Sequence, residues 1–361
     1  MVSIHAHHAL REGICNMSMM KALRYLGPKK LEVQEVPKPI PKENEVLLKI
    51  INVGICGSDV HGYLGITGRR IEPMTMGHEF CGEIVENNVA GSKFKVGDRV
   101  SVQPVDFCGN CEYCNQGLVN LCDNKRFFGV LDVDGAFAEY LAVNEKLLFK
   151  MDEEVPDYVG ALVEPYAVGY GAVNKISGLE NKNILIIGAG TIGLTVLQLV
   201  QVHSPNKIFV SDLSNSRLEK AKEFGADVLI NPSADDPIAV IKENLSGQLV
   251  DVVFEAVGVE ATANQSINCV KPYGEIVWIG NSQQEIKINM QSIVTAAKTV
   301  KGTYIYTQEE FEETHNILMS GKVKTAEFIT EIVSLEEAVS KFEDIDKNPD
   351  NYIKVIVDPR I

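Results

Sequence analysis

The feature that most restricts the fold of this chain is a set of three glycines between an apolar strand and a helix. Residues 183–187, NILII, have the composition of a fully buried strand, and TIGLTVLQLVQVHS has the apolar periodicity of a helix. The loop between them fits the pattern GxGxxG, with Gly188, Gly190 and Gly193. The first glycine permits a tight turn, the second lets the backbone approach a pyrophosphate, and the third lets helix and strand pack closely. The pattern predicts a dinucleotide site at a helix N-terminus.

An acidic residue further along the chain indicates which dinucleotide is bound. Asp212 ends the next strand, KIFVSD, about 20 residues after the glycines, which is where such sites place a ribose-binding carboxylate. A carboxylate accepts hydrogen bonds from the ribose 2′-hydroxyl and repels a 2′-phosphate, so the sequence favours NAD over NADP. Arg217 lies close by and either covers the adenine or weakens that preference.

Strands and helices alternate through the second half of the chain. After KIFVSDL come a charged helix, NSRLEKAKEFGA, and three more short strands within residues 226–281. This alternation predicts a doubly wound parallel sheet of the Rossmann type. Residues 31–105 instead show strand runs broken by glycine and proline, which is typical of an antiparallel, barrel-like domain. The predicted fold class is therefore α/β with a second, β-rich domain.

Four cysteines lie close together in the first half of the chain. They are spaced as C-x2-C-x2-C-x7-C, and they are Cys108, Cys111, Cys114 and Cys122. Four thiolates at such short spacings form a closed tetrahedral site, so the lobe is predicted to hold a structural zinc ion that does no chemistry. An iron–sulfur cluster is the alternative, but its usual spacing and the proline after the last cysteine are missing.

A second set of metal-binding residue types is spread over three segments. CGSDVH contains Cys56, GHEFCG contains His78 and Glu79, and VEP contains Glu164. A thiolate, an imidazole and a carboxylate suit zinc, and a catalytic zinc site keeps one position open for substrate. Taken singly, a buried histidine or cysteine is usually a packed core residue, so the argument depends on the three segments together.

Composition and charge limit the partners. The chain has 361 residues, enough for about two domains, and a net charge of −15 that repels phosphate backbones and anionic lipids. No apolar run approaches the roughly 20 residues that span a bilayer. We therefore expect neither nucleic-acid nor membrane binding, and a cytoplasmic location. Residues 1–18 are expected to be a disordered extension.

Together these segments resemble the zinc-containing medium-chain dehydrogenase family from about residue 20 to the C-terminus. The phrases CGSDVHG, MGHEFCGEIVE, DGAFAEYLAV and ALVEPYAVG resemble its sorbitol dehydrogenase and polyol-phosphate dehydrogenase branch most closely. The resemblance implies a GroES-like catalytic domain formed by residues 19–167 and 307–361. It also implies an NAD-binding domain over residues 168–306, one catalytic and one structural zinc ion per chain, and a homodimer or homotetramer.

The resemblance also implies roles for individual residues. Cys56 and His78 would bind the catalytic zinc, and either Glu79 or Glu164 would complete the set directly or through water. A hydroxyl and a histidine would relay the alcohol proton to solvent, and further side chains would contact NAD. The relay residues are Ser58 and His61, and the NAD contacts are Ile192, Asp212 and Arg217, with Ile279 and Tyr304 at the nicotinamide half.

The small-molecule substrate is the least constrained part. The segment YLGITGRR lies between the two metal-binding segments, so Tyr63 is predicted to border an alcohol or ketone. For Arg69 and Arg70 a solvated basic turn is the favoured interpretation, and binding of a phosphate by the two guanidinium groups is the alternative. The leading hypothesis is oxidation of a polyol or reduction of the matching ketose. A polyol phosphate, a hydroxysteroid or a threonine-type alcohol remain alternatives, as do a zinc-free quinone or enone reductase and an NAD-binding protein without activity.

Overall fold

The computed structural model of this chain describes residues 18–361, so residues 1–17 of the predicted extension lie outside the described residues. Between residues 18 and 150 strands outnumber helices, and beyond residue 150 strands and helices alternate. The strands are β1 (Met19–Gly27), β2 (Lys30–Pro37), β3 (Glu45–Gly54), β4 (Met74–Thr75), β5 (Glu79–Asn87), β6 (Arg99–Val102), β7 (Val105–Asp106), β8 (Arg126–Phe127), β9 (Tyr140–Asn144), β10 (Leu148–Lys150), β11 (Asn183–Ile187), β12 (Lys207–Ser211), β13 (Val228–Ile230), β14 (Val250–Glu255), β15 (Val270–Trp278), β16 (Thr299–Gly302), β17 (Ile329–Val333) and β18 (Lys354–Val357).

The helices follow the same division of the chain. They are α1 (Gly57–Tyr63), α2 (Glu112–Asn115), α3 (Asp157–Val173), α4 (Thr191–Gln201), α5 (Asn215–Glu223), α6 (Pro237–Asn244), α7 (Glu260–Cys269), α8 (Gln291–Val294), α9 (Gln308–Met319) and α10 (Leu335–Lys347). Four single turns of 3-10 helix lie at Val119–Leu121, Glu145–Leu147, Ala326–Phe328 and Pro349–Asn351. In the described part of the chain, no helix is long and apolar enough to cross a bilayer.

Six parallel strands form the sheet predicted for the second half, in the order β13-β12-β11-β14-β15-β16. Because successive side chains of a strand point to opposite faces, β11 feeds two separate cores. Ile184 and Ile186 pack into one cluster with α3 and α4, and Leu185 and Ile187 pack into another with α6 and α7. Helices thus cover both faces, as an all-apolar strand requires. The doubly wound prediction is confirmed.

The β-rich part is built on a seven-stranded sheet in which β10, β6, β5, β3, β18 and β17 follow one another and β9 also pairs with β3. Its pairs are antiparallel except β17 with β18. The two C-terminal strands thus complete a sheet begun by residues 45–54, and α10 closes the same core. Helix α3 runs unbroken across the predicted boundary at residues 167/168. The domain limits themselves stay a prediction.

Candidate active site

The pairing of β3 with β5 brings together three of the residues expected to bind the catalytic metal. Gly54, the last residue of β3, pairs with Glu79, the first residue of β5. Cys56 lies two residues beyond β3 at the start of α1, and His78 directly precedes β5. The candidate donor atoms of Cys56, His78 and Glu79 lie within 4.8 Å of one another. Such spacing fits donors around one ion at about 2.0–2.3 Å, and the sulfur, nitrogen and oxygen donor set is one that zinc accepts.

Glu79 is held by a lysine that the sequence argument did not single out. Lys354, at the start of β18, donates from Nζ to both carboxylate oxygens of Glu79 at 2.8 and 2.6 Å, and to the carbonyl of Ile55 at 3.1 Å. Both side chains are at most 2% exposed. Burial opposes the charge on Lys354, but Glu79 and then Cys56 raise its pKa above the ordinary value. A Cβ atom at Gly54 would lie 2.1 Å from Glu79 Oε2, so a larger residue there would displace the carboxylate from Lys354.

Asp59 is a second buried residue that the sequence argument missed. Its Oδ1 accepts a hydrogen bond from Arg70 Nη2 at 2.8 Å and lies 3.4 Å from His78 Nδ1. Burial alone would raise the pKa of Asp59, but His78 and Arg70 lower it well below the ordinary value. A carboxylate beside a metal-binding histidine fixes the orientation of its ring.

That contact determines where one predicted substrate residue lies. Arg70 is 7% exposed and is committed to Asp59, so its guanidinium is not available to bind a phosphate in the cleft. Tyr63 is also displaced from its expected role: it is 7% exposed, and its ring packs 5.7 Å from that of Phe342 in the β-rich core. Arg69 is exposed, as a solvated basic turn would have it. The amphipathic helix α1 turns its apolar face, including Tyr63, inward.

Glu164 lies on α3 and is buried, but it is not part of the three-residue donor group. Its Oε1 accepts a hydrogen bond from the hydroxyl of Tyr306 at 2.9 Å. Burial, partly offset by the charge of His78, raises the pKa of Glu164 to about 7. A carboxyl group with such a pKa can hold or release a proton near neutrality. Tyr306 is the third residue that the sequence argument missed.

A cleft of about 550 Å³ connects this site to the glycine loop. Its wall on the β-rich side includes Cys56, Ser58, His61, Glu79 and Lys354. Ser58 and His61 are exposed and lie three residues apart on α1, which places them on neighbouring positions of one helix face. The predicted relay residues therefore both open onto the cleft.

The opposite wall of the cleft carries the glycine loop. Gly188 has φ +97°, and a Cβ atom at Gly193 would lie 1.7 Å from the carbonyl oxygen of Gly188. Both positions therefore require glycine for local reasons. A Cβ atom at Gly190 would have no neighbour within 4 Å, so this glycine keeps open space at the N-terminus of α4. The arrangement fits a dinucleotide pyrophosphate at that end.

The remaining predicted dinucleotide contacts divide into two groups. Ile192, Arg217 and Ile279 line the cleft, whereas Tyr304 is 40% exposed and is not among the lining residues of the described chain. Asp212 directly follows β12 and accepts hydrogen bonds from the backbone N–H groups of Ala189 at 2.7 Å and Ser214 at 2.8 Å.

Arg217 is tied to the other side of the cleft. It donates from Nη2 to the carbonyl of Pro349 at 2.8 Å and lies 3.5 Å from the carboxylate of Asp350. The guanidinium thus already has partners in the C-terminal segment. This favours a role in joining the two walls of the cleft over recognition of a 2′-phosphate.

The four lobe cysteines meet as the spacing predicts. Their sulfur atoms lie within 4.8 Å of one another, with Cys108 Sγ 3.5 Å from Cys122 Sγ and 3.9 Å from Cys114 Sγ. Backbone N–H groups, first that of Asn110, lower the pKa of Cys108 and so favour its thiolate. A closed set of four sulfurs fits a structural zinc ion, and the short elements around it give the lobe little other means of folding.

Comparison with known proteins agrees with this geometry. Residues 42–153 match the family described as alcohol dehydrogenase GroES-like domain, and residues 191–320 match that described as zinc-binding dehydrogenase. The chain is 33% identical over 344 residues to a sorbitol dehydrogenase of Bacillus subtilis (strain 168), which covers 94% of this chain and 97% of that protein.

Solved structures show the same likeness. A galactitol-1-phosphate dehydrogenase from Escherichia coli superposes with a TM-score of 0.88 at 29% identity, covering 94% of this chain and 100% of that one. A zinc-binding dehydrogenase from Sinorhizobium meliloti 1021 bound to NADP gives 0.87 at 32% identity, covering 95% and 100%. Fold and site thus define an alcohol oxidoreductase that uses zinc and a nicotinamide dinucleotide. The chain belongs to the zinc-containing medium-chain dehydrogenase family, in its sorbitol dehydrogenase-like branch.

Proposed function

We propose that this enzyme moves a hydride between a secondary alcohol of the polyol type and NAD, oxidising the polyol or reducing the matching ketose. The observation that carries the proposal is the cleft itself. It joins the donor group Cys56, His78 and Glu79 to the open space at Gly190, so a carbinol carbon and a nicotinamide ring can meet between them. The likeness to a sorbitol dehydrogenase supports the polyol class.

The residues around the site suit each part of this reaction. A zinc ion held by Cys56 and His78, with Glu79 or Glu164, would supply a Lewis acid that makes a bound alcohol more acidic. Ser58 accepts the alcohol proton in this scheme and His61 passes it to solvent, since both face the cleft from one side of α1. Helix α3 and the buried Tyr306 hold Glu164 in one orientation.

NAD is the proposed cofactor because Asp212 places a carboxylate at the end of β12, where the ribose is expected. The 2′-phosphate of NADP would be repelled by this carboxylate. Arg217, the nearby residue that could offset the repulsion, already donates a hydrogen bond to the carbonyl of Pro349. The same enzyme assayed with NADP should therefore turn over far more slowly than with NAD. Comparable rates with both cofactors would remove Asp212 from this role.

A phosphorylated polyol is the second candidate substrate. It is supported by the likeness to a galactitol-1-phosphate dehydrogenase. Arg69 is exposed, but it is not among the described residues that line the cleft. The commitment of Arg70 to Asp59 leaves a single arginine of the predicted pair for a phosphate, whereas bidentate and clustered guanidinium contacts are the usual means of binding one. We therefore place the free polyol first.

We further propose that the chain works as a homo-oligomer in the cytoplasm. The outer strand of the parallel sheet, β16, has an unpaired edge in the described structure, and large apolar side chains near it are exposed, namely Tyr273 at 85%, Met290 at 67% and Val294 at 66%. Such an edge and patch are typical of an interface. The seven cysteines among the described residues are free thiols, which suits a reducing compartment.

A substrate panel tests the proposed function. Free polyols, polyol 1-phosphates, simple diols and a hydroxysteroid are each incubated with enzyme and NAD, and NADH is followed at its absorbance band. The proposal expects the highest kcat/KM for a free polyol. Preference for a phosphorylated polyol would select the second candidate, and no turnover of any alcohol would overturn both.

A further inference from the structure

The cysteine lobe reaches beyond its own metal group and contacts the segment that carries Tyr306. Asn120 lies in the 3-10 turn Val119–Leu121, two residues before Cys122. Its side-chain Nδ2 donates a hydrogen bond to the carbonyl oxygen of Tyr304 at 2.7 Å, across 184 residues of sequence. Lys125 of the lobe also lies with its Nζ 5.9 Å from the centre of the Tyr304 ring.

The contacted segment has an unusual backbone. Ile305 has φ +54°, in the left-handed region, and its side chain is branched at Cβ. Such a residue is unfavourable there and persists only where its surroundings impose it. Residues in this state often lie at functional sites, where the imposed shape aims a neighbouring group.

Two further contacts fix this segment from the opposite side. Tyr306 is 1% exposed and donates its hydroxyl hydrogen to Glu164 on α3. Gly171, two turns further along α3, lets the helix approach closely, because a Cβ atom there would lie 2.9 Å from the carbonyl oxygen of Ile305. Residues 304–306 are thus clamped between the lobe and the helix that carries Glu164.

We propose that Asn120 is a positioning residue for the active site. Through the carbonyl of Tyr304 it holds residues 304–306 in the strained form that aims the Tyr306 hydroxyl at Glu164. The cysteine lobe therefore contributes to catalysis by bracing this segment, although its four sulfurs form a closed group. This inference rests on the proposed function, because it assumes that Glu164 acts in the dehydrogenase reaction.

The test compares Asn120→Ala with Asn124→Ala in the full-length, zinc-loaded enzyme. Asn124 is an exposed residue of the same lobe, two positions beyond Cys122, and it serves as the matched control. Asn120→Ala should lower kcat by between about tenfold and a hundredfold, the range for a misplaced active-site group, with KM for NAD unchanged. Asn124→Ala should match the wild type in both constants.

A double-mutant cycle distinguishes a loss of Tyr306 positioning from a general loss of structure in Asn120→Ala. Tyr306→Phe removes only the hydroxyl, so Asn120→Ala should lower kcat much less in that background than in the wild type. Metal analysis should give the same zinc content for Asn120→Ala as for the wild type. Effects that multiply, or a loss of zinc that accompanies the fall in kcat, would overturn the proposal.

Amide hydrogen exchange gives a readout that does not depend on turnover. A peptide covering residues 303–307 should exchange faster in Asn120→Ala than in the wild type and in Asn124→Ala. Equal exchange in all three proteins would show that the contact does not brace the segment. A wild-type enzyme that oxidises no secondary alcohol would instead refute the proposed function, while the exchange data would still decide whether the brace exists.

Discussion

The buried pair of Lys354 and Glu79 shows how much a single contact determines at this site. Each charge is almost fully shielded from water, and each is stable there because the other is 2.6 Å away. A buried carboxylate without its partner must either take up a proton or remain charged at a high cost. Lys354 therefore controls both the position and the charge of a predicted metal ligand.

Replacing Lys354 with Met should destabilise the protein by about 3–5 kcal/mol, the usual result of removing one partner from a buried pair. Chemical denaturation measures the change in the free energy of unfolding. Lys347→Met is the control, since its pair with Glu343 is more than half exposed on both sides and is screened by water, so this variant should unfold like the wild type. Equal losses for the two variants would contradict the importance given to the buried pair.

Alanine substitutions at Gly190 and Gly193 should affect cofactor binding and stability differently. Gly190→Ala meets only open space, so the protein should melt at the wild-type temperature but bind NADH more weakly. Gly193→Ala places a Cβ atom against the carbonyl of Gly188, so it should lower the melting temperature as well. Melting curves and NADH titrations measure both effects. Wild-type NADH affinity in Gly190→Ala would contradict the pyrophosphate assignment.

At the scale of elements, a buried histidine of α9 forms hydrogen bonds with the β-rich sheet. His315 is 5% exposed; its Nδ1 lies 2.8 Å from the Ser101 hydroxyl of β6 and its Nε2 lies 2.9 Å from the carbonyl of Lys150 in β10. A carbonyl only accepts, so Nε2 carries the hydrogen, and Nδ1 accepts from the hydroxyl when the ring is neutral. Burial lowers the pKa of His315 below its ordinary value.

This arrangement predicts a dependence of stability on pH. The folded protein holds His315 neutral, while the unfolded chain takes up a proton below about pH 6.5, so the contribution of His315 is present above that pH and is lost as the pH falls through it. The free energy of unfolding is measured by denaturation between about pH 5 and 8, on both sides of the histidine pKa of about 6.5. It should fall less towards acid pH in His315→Gln than in the wild type. Parallel pH profiles would contradict this role.

The elements also show why the sequence predicted some features and missed others. Alternating apolar strands and helices, the glycine loop and the cysteine spacing are local patterns, so the sheet and both metal groups could be predicted. Asp59, Lys354 and Tyr306 act through contacts between distant elements, and a lone Asp, Lys or Tyr carries no local signal. For Lys354 a weak clue existed, because a lysine at the start of the buried strand KVIV needs a partner.

The positions of two predicted substrate contacts also depend on contacts between distant elements. Tyr63 and Arg70 were expected at the cleft because they lie between two metal-binding segments in the sequence. The short helix α1 instead turns Tyr63 into the core, and Arg70 folds back onto Asp59. Proximity along the chain did not indicate which side of the helix faces the cleft.

At the scale of the whole molecule, the chain contains two groups of candidate metal-binding residues that differ in their access to solvent. The four-cysteine group is closed, whereas the group of Cys56, His78 and Glu79 lies at a cleft. Metal analysis of the purified protein should therefore give two zinc ions per chain. Cys111→Ser should lose the lobe ion and retain the other. One zinc per chain in a fully active enzyme would contradict the catalytic assignment.

The cleft joins the two halves of the molecule, and the proposed reaction needs both of its walls. The wall built by the β-rich sheet contains the donor group, and the wall built by the parallel sheet contains the glycine loop. A change to the donor group should therefore stop hydride transfer without disturbing the dinucleotide site.

Zinc-dependent hydride transfer is tested by steady-state NADH formation from a polyol by the wild type and by Cys56→Ser, with NADH binding measured on the same preparations. We expect turnover in the wild type, background rates in Cys56→Ser, and equal NADH affinity in both. Turnover that survives in Cys56→Ser would contradict the zinc-dependent mechanism.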